Sequence, residues 1–415
     1  MFIYRIVVSL IRLALWISYP FSANNRKFLK GRKGVFKKLK EFSQTRNPRQ
    51  PVYWFHCASL GEFEQGRPLM EAMKEENPKL QIVLTFFSPS GYEVRKNYEV
   101  ADLVCYLPLD GKRNAERFLD YVKPKTAFFI KYEFWYGYLS VLKQRNIPSI
   151  SVSTLLRDNA VPFRWYGSFY RNMLRKVSYF FPQDQNTVDL LKKIGIKKVS
   201  LAGDTRFDRV ADICSHVPKN ELAAAFKKES PAMVIGSSWA ADLDVLLPFM
   251  KEFVDDIKFI IAPHNIEEEV LQRIEKELPY KTVRYSKVKK ETISNYRVLI
   301  IDNVGMLTSL YRYGEYAYVG GAFGKSLHNI LEPATFGMPI FFGDKSYRHV
   351  NEANALLKRG IAFTVGDFKE LRMKFKHFFN HEEKRQAVSA DCRAYIQENT
   401  GATKLIMEYI ATKRK

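Results

Sequence analysis

Short apolar runs of strand-forming residues alternate with helix-compatible segments along most of the chain, and this alternation constrains the fold most. Continuous apolar runs separated by helices are typical of parallel sheets that helices cover on both faces. The predicted strands are 52–58, 81–87, 102–108, 126–132, 148–154, 179–183 and 199–204 in a first series, and 232–238, 258–264, 297–302, 316–321, 339–343 and 361–365 in a second. One doubly wound sheet rarely holds so many strands, and no strand-like run occupies 205–230. The sequence therefore predicts an α/β protein with two Rossmann-like domains that face each other across a cleft.

The predicted organisation has three parts. A helix at 1–22 precedes a first Rossmann-like domain at 23–205 and a second at 206–415. The last helical stretch, about 382–412, can pack back on the first domain. The four cysteines are far apart and include no C-x-x-C pair. This spacing argues against a disulfide scaffold and a structural zinc site, and it favours a reducing cytoplasm.

The first 22 residues are strongly apolar but carry Arg5 and Arg12. The two arginines leave no run of about 20 uncharged apolar residues, so a full membrane span is disfavoured. A basic run at 26–40 follows at once, and an apolar helix beside a polybasic patch is typical of binding to an anionic membrane surface. Two alternatives are a helix docked on the protein's own core and a signal peptide. The signal peptide is disfavoured because no small-x-small cleavage site follows.

The net charge of +22 is unevenly distributed, since residues 1–50 contain twelve basic side chains and one acidic one. Such a field attracts nucleic acid, an anionic membrane or a phosphorylated substrate. No OB, RRM or helix-turn-helix pattern is present, so we expect no nucleic-acid partner.

Three motifs of the first domain place charged residues just after predicted strands, where ligands bind in open α/β sheets. In HCASLGEFEQG (56–66), Glu62 can act as a general base, or can stabilise a helix start. In FFIKYEFWYGYL (128–139), Lys131 and Glu133 indicate a site or a structural ion pair. In AGDTRFDR (202–209), Arg206 can meet an anion or form a surface salt bridge.

Two further motifs combine a strand end with glycine. The S-P-S-G turn at 88–91 precedes a helix whose first amides can hold a phosphate or carboxylate, or is a plain turn. In the second domain, 318–343 has a glycine-bearing loop, then a helix from about His328–Asn329 that carries Glu332. A phosphate could approach this loop while Glu332 binds ribose hydroxyls. The dinucleotide fingerprint G-x-G-x-x-G is absent.

We predict neither a metal site nor a cofactor. His377 and His381 are four residues apart, but no H-E-x-x-H frame surrounds them and their neighbours are aromatic and basic.

With these motifs, the chain resembles the 3-deoxy-D-manno-octulosonic acid (Kdo) transferases of lipopolysaccharide assembly. The resemblance extends over nearly the whole chain. It includes GRKG (31–34), and its most specific parts are HCASLGE, the S-P-S-G turn, YEFW, GDTRFD and above all HNILEPATFGMPIFFG. It implies a GT-B glycosyltransferase that inverts the anomeric centre without a metal. The implied donor is CMP-Kdo, the implied acceptor is a lipid A precursor of the lipid IVA type, and the implied location is the cytoplasmic face of the bacterial inner membrane.

The resemblance also implies residue roles. Glu62 matches the family's general base. The family's CMP contacts fall on Pro263, His264, Val304, Gly305, Met306, Asn329, Ile330, Leu331 and Glu332. Two charged family residues that assist the transition state, a glutamate and a lysine, correspond to Lys131 and Arg206. Glu133 keeps a neighbouring acid in the motif that contains Lys131.

Several positions depart from the family pattern. Lys131 replaces an acid with a base, and Arg206 preserves charge without the geometry of lysine. His264 stands where the family has arginine, and Met306 where it has glutamate.

The predicted reaction fits the charge of the chain, because the donor and the acceptor are both anions. We expect Glu62 to take the proton of the acceptor hydroxyl. Arg206 and amides at helix starts would balance the departing phosphate. Two alternatives remain: another GT-B glycosyltransferase with a UDP-sugar donor and a lipid-linked acceptor, and a non-enzymatic module that binds nucleic acid or membrane.

Overall fold

The computed structural model describes Tyr4, residues 17–279 and residues 281–413. They divide into two compact units: the first runs to Arg209 and resumes at Thr400, and the second is Val210–Asn399. The helix predicted at 1–22 lies outside the described residues, apart from Tyr4 and 17–22. None of the helices described is long and apolar enough to cross a membrane.

The first unit is built on a six-stranded parallel sheet. Its strands are β1 (Val52–Cys57), β2 (Gln81–Phe86), β3 (Leu103–Tyr106), β4 (Thr126–Ile130), β5 (Ser149–Thr154) and β6 (Tyr179–Pro182). Its helices are α1 (Ala23–Arg32), α2 (Val35–Thr45), α3 (Leu60–Glu76), α4 (Pro89–Arg95), α5 (Lys112–Val122), α6 (Tyr136–Gln144), α7 (Ser168–Leu174) and α8 (Gln185–Lys193). The strand order is β3-β2-β1-β4-β5-β6. This is the order of a Rossmann sheet, so the predicted class of this unit is confirmed.

The second unit carries a seven-stranded parallel sheet. Its strands are β7 (Ala232–Ser238), β8 (Lys258–Pro263), β9 (Thr282–Arg284), β10 (Val298–Ile300), β11 (Tyr316–Val319), β12 (Ile340–Gly343) and β13 (Ala362–Val365). Its helices are α9 (Thr205–His216, which begins in the first unit), α10 (Glu221–Lys227), α11 (Ala240–Phe253), α12 (Glu268–Glu277), α13 (Leu307–Tyr311), α14 (Leu331–Phe336), α15 (Asn351–Arg359), α16 (Phe368–Phe379) and α17 (Glu382–Asn399). The strand order is β13-β12-β11-β7-β8-β10-β9.

The central strands are buried along their whole length in β1, β2, β5 and β8. This burial explains their continuous apolar sequences, since helices cover both faces of each sheet. In the first unit, Trp54 and Phe129 lie in the core on one side and Phe55 and Phe128 in the core on the other.

The final helix, α18 (Ala402–Thr412), belongs to the first unit. Its Ile406 and Ile410 join the core that contains Phe55, and the ring of Tyr409 lies 4.2 Å from that of Tyr179. The backbone amide of Thr403 donates a 2.7 Å hydrogen bond to Asp208. Residues 400–413 therefore complete the first sheet's helical layer.

One predicted strand is wrong and one strand was missed. Residues 199–204 make only an isolated bridge between Val199 and Phe180, and the amide of Gly203 donates to Pro182 O with φ +95°. The chain therefore turns away from the sheet. The missed strand β9 lies at a sheet edge and has no apolar run, and its Arg284 pairs with Glu268 and Glu275.

The chain crosses from one half of the sheet to the other between β1 and β4 in the first unit and between β7 and β11 in the second. The carboxyl ends of strands at such a point form the usual ligand crevice of a doubly wound sheet. Glu62 follows β1, and Lys131 and Glu133 follow β4. The fold thus brings these predicted residues to one edge of the first sheet.

Candidate active site

Glu62 is the third residue of α3 and is buried, with 7% of its surface exposed. Its Oε2 accepts a 3.0 Å hydrogen bond from the backbone amide of Ser59 and a second from the Ser59 hydroxyl. This capping box satisfies donors at the helix start, where negative charge is also favoured. Oε1 of Glu62 accepts no hydrogen bond from the part of the chain that the structure describes. One carboxylate oxygen is thus used structurally and the other is available to a ligand.

Glu133 lies in a buried cluster with His56 and Trp135. The indole Nε1–H of Trp135 lies 3.0 Å from Oε2 of Glu133 and 3.1 Å from Nε2 of His56, and donates to both. Nε2 of His56 lies 3.6 Å from the same carboxylate oxygen. His56 is fully buried and Glu133 is 9% exposed. If the Glu133 carboxylate turned away, the indole N–H would therefore lose one of its two acceptors.

The other side of the His56 ring determines which nitrogen carries the proton. Nδ1 lies 2.9 Å from Oγ1 of Thr85, and that hydroxyl donates to the carbonyl oxygen of Phe55. The Thr85 oxygen also accepts from the indole of Trp54 at 2.8 Å. Its proton is thus already used, so Nδ1 of His56 is the donor and Nε2 is the acceptor for Trp135.

Lys131 occupies a left-handed backbone conformation, with φ +66°, at the end of β4. Its amide donates a 2.8 Å hydrogen bond to Val152 O, and its Nζ lies 5.3 Å from the ring centre of Tyr132. Left-handed non-glycine residues cost free energy and concentrate at functional sites. Lys131 and Glu133 do not pair with each other among the described residues, so the alternative of an ion pair between them is wrong.

The carboxylates of Glu62 and Glu133 both help to raise the pKa of two neighbouring side chains, Tyr132 and Cys57. Burial, followed by Glu62 and Glu133, raises the pKa of Tyr132. Burial, with the same carboxylates as further causes, holds the pKa of the Cys57 thiol well above its usual value. Cys57 is therefore a core thiol and not a nucleophile.

Arg206 is paired with Asp204 at the start of α9. Its Nη2 and Nε lie 2.6 and 3.0 Å from Oδ2 of Asp204. The same oxygen accepts a 3.0 Å hydrogen bond from Gln65, which lies on α3, the helix that carries Glu62. The Thr205 hydroxyl donates to the carbonyl oxygen of Gln65. The junction motif is thus fixed to the helix of the candidate base.

In the second unit, Trp239 and His328 form a nearly coplanar, hydrogen-bonded pair. The indole Nε1–H donates to Nε2 of His328 at 2.8 Å, and the two ring planes differ by 14°. His264 lies over both rings, 4.3 Å from Trp239 and 4.5 Å from His328 between ring centres. Burial and then His264 lower the pKa of His328 to about 4, and burial lowers the pKa of His264. The cluster is therefore neutral at physiological pH.

A buried carboxylate positions this cluster. Oδ2 of Asp242 accepts the amides of Trp239 at 2.8 Å and Gly321 at 3.0 Å, and Oδ1 accepts the hydroxyl of Tyr318 at 2.9 Å. A Cβ at Gly320 would lie 2.3 Å from Ser237 O. Only glycine there lets the end of β11 approach the end of β7 so closely.

Glu332 links the remaining residues that are predicted to contact the donor nucleotide. Its Oε1 accepts a 2.8 Å hydrogen bond from Asn329, and its Oε2 accepts one of 2.8 Å from Thr308. Thr308 lies in α13, directly after the turn at 304–306, where Val304 is 90% exposed and Gly305 has φ +96°. His328 precedes Asn329 and contacts His264. The structure thus brings the blocks 263–264, 304–306 and 329–332 together in one unit.

Within these blocks, Pro263, Ile330 and Leu331 are buried, whereas His264 and Asn329 are exposed. Helix α14 begins at Leu331, slightly later than predicted. At the S-P-S-G turn, Ser88 caps the short helix α4 through the Ser90 amide. Among the described residues, no three His, Cys, Asp or Glu side chains come together as metal ligands would.

Sequence reasoning missed Trp239, Thr308 and Asp242. Trp239 directly follows the first strand of the second series, at the position that corresponds to the HCASLGE motif in the first unit. The position of Trp239 directly after a strand was therefore the sequence signal that could have identified it. The pairing of Thr308 with Glu332 crosses 24 residues and has no local signature.

Together, the first unit offers a carboxylate that can accept a hydroxyl proton, and the second offers polar groups and stacked rings. Two such parallel-sheet α/β units are the fold of the UDP-GlcNAc 2-epimerase of Neisseria meningitidis, bound to UDP-GlcNAc in its structure. That GT-B-like structure is similar over 88% of this chain and 100% of its own, with a TM-score of 0.60 and 15% identity. The likeness establishes the fold class alone.

The sequence comparisons are more specific. Residues 29–209 match the family described as 3-deoxy-D-manno-octulosonic-acid transferase (kdotransferase). The 3-deoxy-D-manno-octulosonic acid transferase of Aquifex aeolicus is 28% identical over 77% of this chain and 84% of its own length. The transferase of the same name from Chlamydophila psittaci is 26% identical over 88% of this chain and 83% of its own. The chain is therefore similar over most of its length to glycosyltransferases of this family.

Proposed function

We propose that the protein transfers Kdo from CMP-Kdo to a lipid A precursor of the lipid IVA type, with inversion at the anomeric carbon and Glu62 as the general base. The observation that carries this proposal is the arrangement of Glu62, because Ser59 holds one carboxylate oxygen and leaves the other available. The similarity to the Kdo transferases supports the choice of sugar. The acceptor class is what the resemblance to that family implies.

In the proposed reaction, Oε1 of Glu62 takes the proton of an acceptor hydroxyl as that oxygen attacks the anomeric carbon of Kdo. The bond from this carbon to the CMP phosphate oxygen breaks, and its electron pair leaves with CMP. A general base of this kind must lie within hydrogen-bond reach of the hydroxyl. The capping box supports the role because it fixes the first turn of α3 and the carboxylate with it.

Negative charge develops on the departing phosphate, so cations should stabilise the transition state. We propose Arg206 for this role, with Lys131 as a second cation. Arg206 keeps 34% of its side chain exposed although Asp204 binds its guanidinium. The left-handed conformation at Lys131 supports a functional role there. Glu133 acts at a distance from the chemistry, by fixing Trp135 and His56.

We propose that the second unit binds CMP through Pro263, His264, the turn Val304–Met306 and the block Asn329–Glu332. Their convergence around Thr308 and His328 supports one shared site. The neutral ring of His264 replaces the family's arginine, so stacking would replace a charged contact at this position.

The basic N-terminal sequence, with +11 among the first fifty residues, suits a place at the anionic cytoplasmic face of the inner membrane, where the acceptor lies.

The test is release of CMP from CMP-Kdo, measured with and without tetra-acylated lipid A precursor, together with the mass of the lipid product. We expect release that requires the acceptor and a product heavier by whole Kdo units. CMP should inhibit and UDP should not. Inhibition by UDP, with transfer from a UDP-sugar to a lipid-linked acceptor, would favour the alternative glycosyltransferase. The departures at His264 and Met306 are the observation that favours that alternative.

A further inference from the structure

The segment between β5 and α8 exposes three aromatic side chains at close spacing. Trp165 is 90% exposed, Tyr166 is 57% exposed and Tyr170 is 40% exposed. We call these three residues the aromatic surface. The rings of Trp165 and Tyr166 lie 5.4 Å apart in an edge-to-face contact. Large aromatic rings are stabilised by burial, so a patch of exposed tryptophan and tyrosine indicates a surface that is covered by a partner.

The backbone that carries the aromatic surface is fixed. Nη1 of Arg171 donates to the carbonyl oxygens of Pro162 at 2.9 Å and Arg164 at 2.8 Å. The amide of Gly167 donates to Arg164 O at 3.0 Å, and a Cβ at Gly167 would lie 2.0 Å from Val161 O. Trp165 is therefore held in solvent by a tight, hydrogen-bonded loop.

The aromatic surface continues into a cluster of rings that includes the N-terminal residue Tyr4. Phe169, between Tyr166 and Tyr170 in sequence, stacks on Tyr136 at 5.0 Å and contacts Tyr4 at 5.4 Å. The Tyr4 hydroxyl donates to Asp110. Tyr4, a residue of the apolar N-terminal sequence, therefore contacts the first unit at this cluster.

The charge around the aromatic surface is positive. Residues 155–176 include five basic side chains and one acidic side chain, Asp158. Arg157, Arg164 and Arg175 are exposed, and Nζ of Lys176 lies 5.3 Å from the ring centre of Tyr136. Tryptophan and tyrosine with adjacent arginine are typical of the membrane–water interface, where the rings enter the headgroup region and the cations meet anionic lipid.

We infer that the aromatic surface is a second membrane-docking site, with Trp165 inserting into the interface of an anionic bilayer. It acts in addition to the N-terminal sequence and fixes the orientation of the first unit on the membrane. Single-stranded nucleic acid also binds exposed aromatics flanked by arginine. The contact of Tyr4 with Phe169 favours the membrane, because Tyr4 belongs to the apolar, arginine-bearing sequence that is itself expected to bind an anionic membrane surface. The inference does not depend on the identity of the sugar donor.

The experiment uses the full chain with a fluorescent probe at Ser168→Cys, which is exposed and leaves Trp165 in place. The four native cysteines are buried, so the probe labels the new position selectively. A matched protein carries the probe at Met373→Cys, an exposed apolar site in the second unit. Both are mixed with phosphatidylcholine vesicles that contain or lack phosphatidylglycerol, and sedimentation reports the bound fraction.

We expect the probe at 168 to shift to the blue on vesicles with phosphatidylglycerol, and the probe at 373 to remain unchanged. Trp165→Ala, in the labelled background, should lower the partition coefficient about tenfold, from the loss of one partly inserted aromatic side chain. Met373→Ala should have no effect. Arg164→Gln with Arg175→Gln should lower the dependence on phosphatidylglycerol.

Three results would overturn the inference: vesicle binding without a response at 168, no vesicle binding at all, or a response at 168 to single-stranded RNA and not to vesicles. Thermal melts of each variant show whether it is folded. If Trp165→Ala does not fold, Trp165→Gln provides the same comparison with a side chain that stays in solvent.

Discussion

Both hydrogen bonds from Ser59 to Glu62, one from its amide and one from its hydroxyl, end on the same carboxylate oxygen, Oε2. The structural role of Glu62 and its proposed catalytic role therefore use different oxygens. This separation makes the two roles distinguishable by substitution.

Ser59→Ala removes only the hydroxyl half of this capping box. Loss of an N-cap side chain costs about 1 kcal/mol of stability. We expect a slightly lower melting temperature and a fall in kcat of no more than a few-fold, because the Ser59 amide still holds Oε2. Thermal denaturation and CMP release measure the two effects. A loss of activity as large as that of a Glu62 variant would show that the hydroxyl itself takes part in the chemistry.

Arg206 offers a comparison with the lysine that the family has at this position. Arg206→Lys keeps the charge near the proposed phosphate position, so we expect kcat within several-fold of the parent. Arg206→Ala should reduce kcat about 100-fold, the usual cost of losing one group that stabilises transition-state charge. CMP affinity, measured by calorimetry, should change little in either variant. Equal activity of the alanine variant and the parent would exclude Arg206 from the mechanism.

His328 predicts a pH dependence of stability. Its folded pKa, about 4, lies below the ordinary value of 6.5, because burial and His264 oppose its charge. The unfolded chain therefore binds more protons between these values, and stability falls as the pH falls from about 6.5 toward 4. His264 acts in the same direction. Asp242 acts oppositely, because burial raises its pKa and protonation then favours the folded state.

His328→Asn can still accept the Trp239 hydrogen bond but cannot titrate. Its melting temperature should therefore depend less steeply on pH in this window than that of the parent chain. Melts from pH 7 to pH 4 in matched buffers make the comparison. Parallel curves for the two proteins would show that His328 is not protonated on unfolding in this range.

Arg32 has no carboxylate partner among its described contacts, yet we expect its side chain to contribute strongly to stability. Its guanidinium donates to the carbonyl oxygens of Phe28, Leu107 and Phe87, and lies 3.6 Å from the ring centre of Phe28. Burial lowers its pKa to about 10. Arg32→Met leaves buried carbonyl oxygens without donors, at a cost of about 2 kcal/mol.

Chemical denaturation, followed by tryptophan fluorescence, measures this loss. The neighbouring exposed Lys33 gives the control, since Lys33→Met removes a charge but no buried hydrogen bond. Equal stability of the two variants would show that the hydrogen bonds from Arg32 to these carbonyl oxygens do not stabilise the fold.

The sequence predicts both sheets well because buried parallel strands are continuous apolar runs. The prediction fails at 199–204, where Val199 alone bridges to Phe180. It also fails at β9, a short edge strand with no apolar run. Glu62 was predictable from its place after β1, and the S-x-x-E spacing from Ser59 marks its capping box. The pair of Trp239 with His328, 89 residues apart, depends on tertiary packing that no local pattern encodes.

The central claim, that Glu62 is the general base, is tested most directly by Glu62→Gln. Glutamine also serves at this position of a capping box, so the variant should fold and melt close to the parent, yet it cannot take a proton. We predict that single-turnover transfer from CMP-Kdo to the lipid A precursor falls at least about 100-fold, the usual contribution of a general base, while CMP affinity is unchanged. Transfer at near the parent rate by the folded variant would contradict the account.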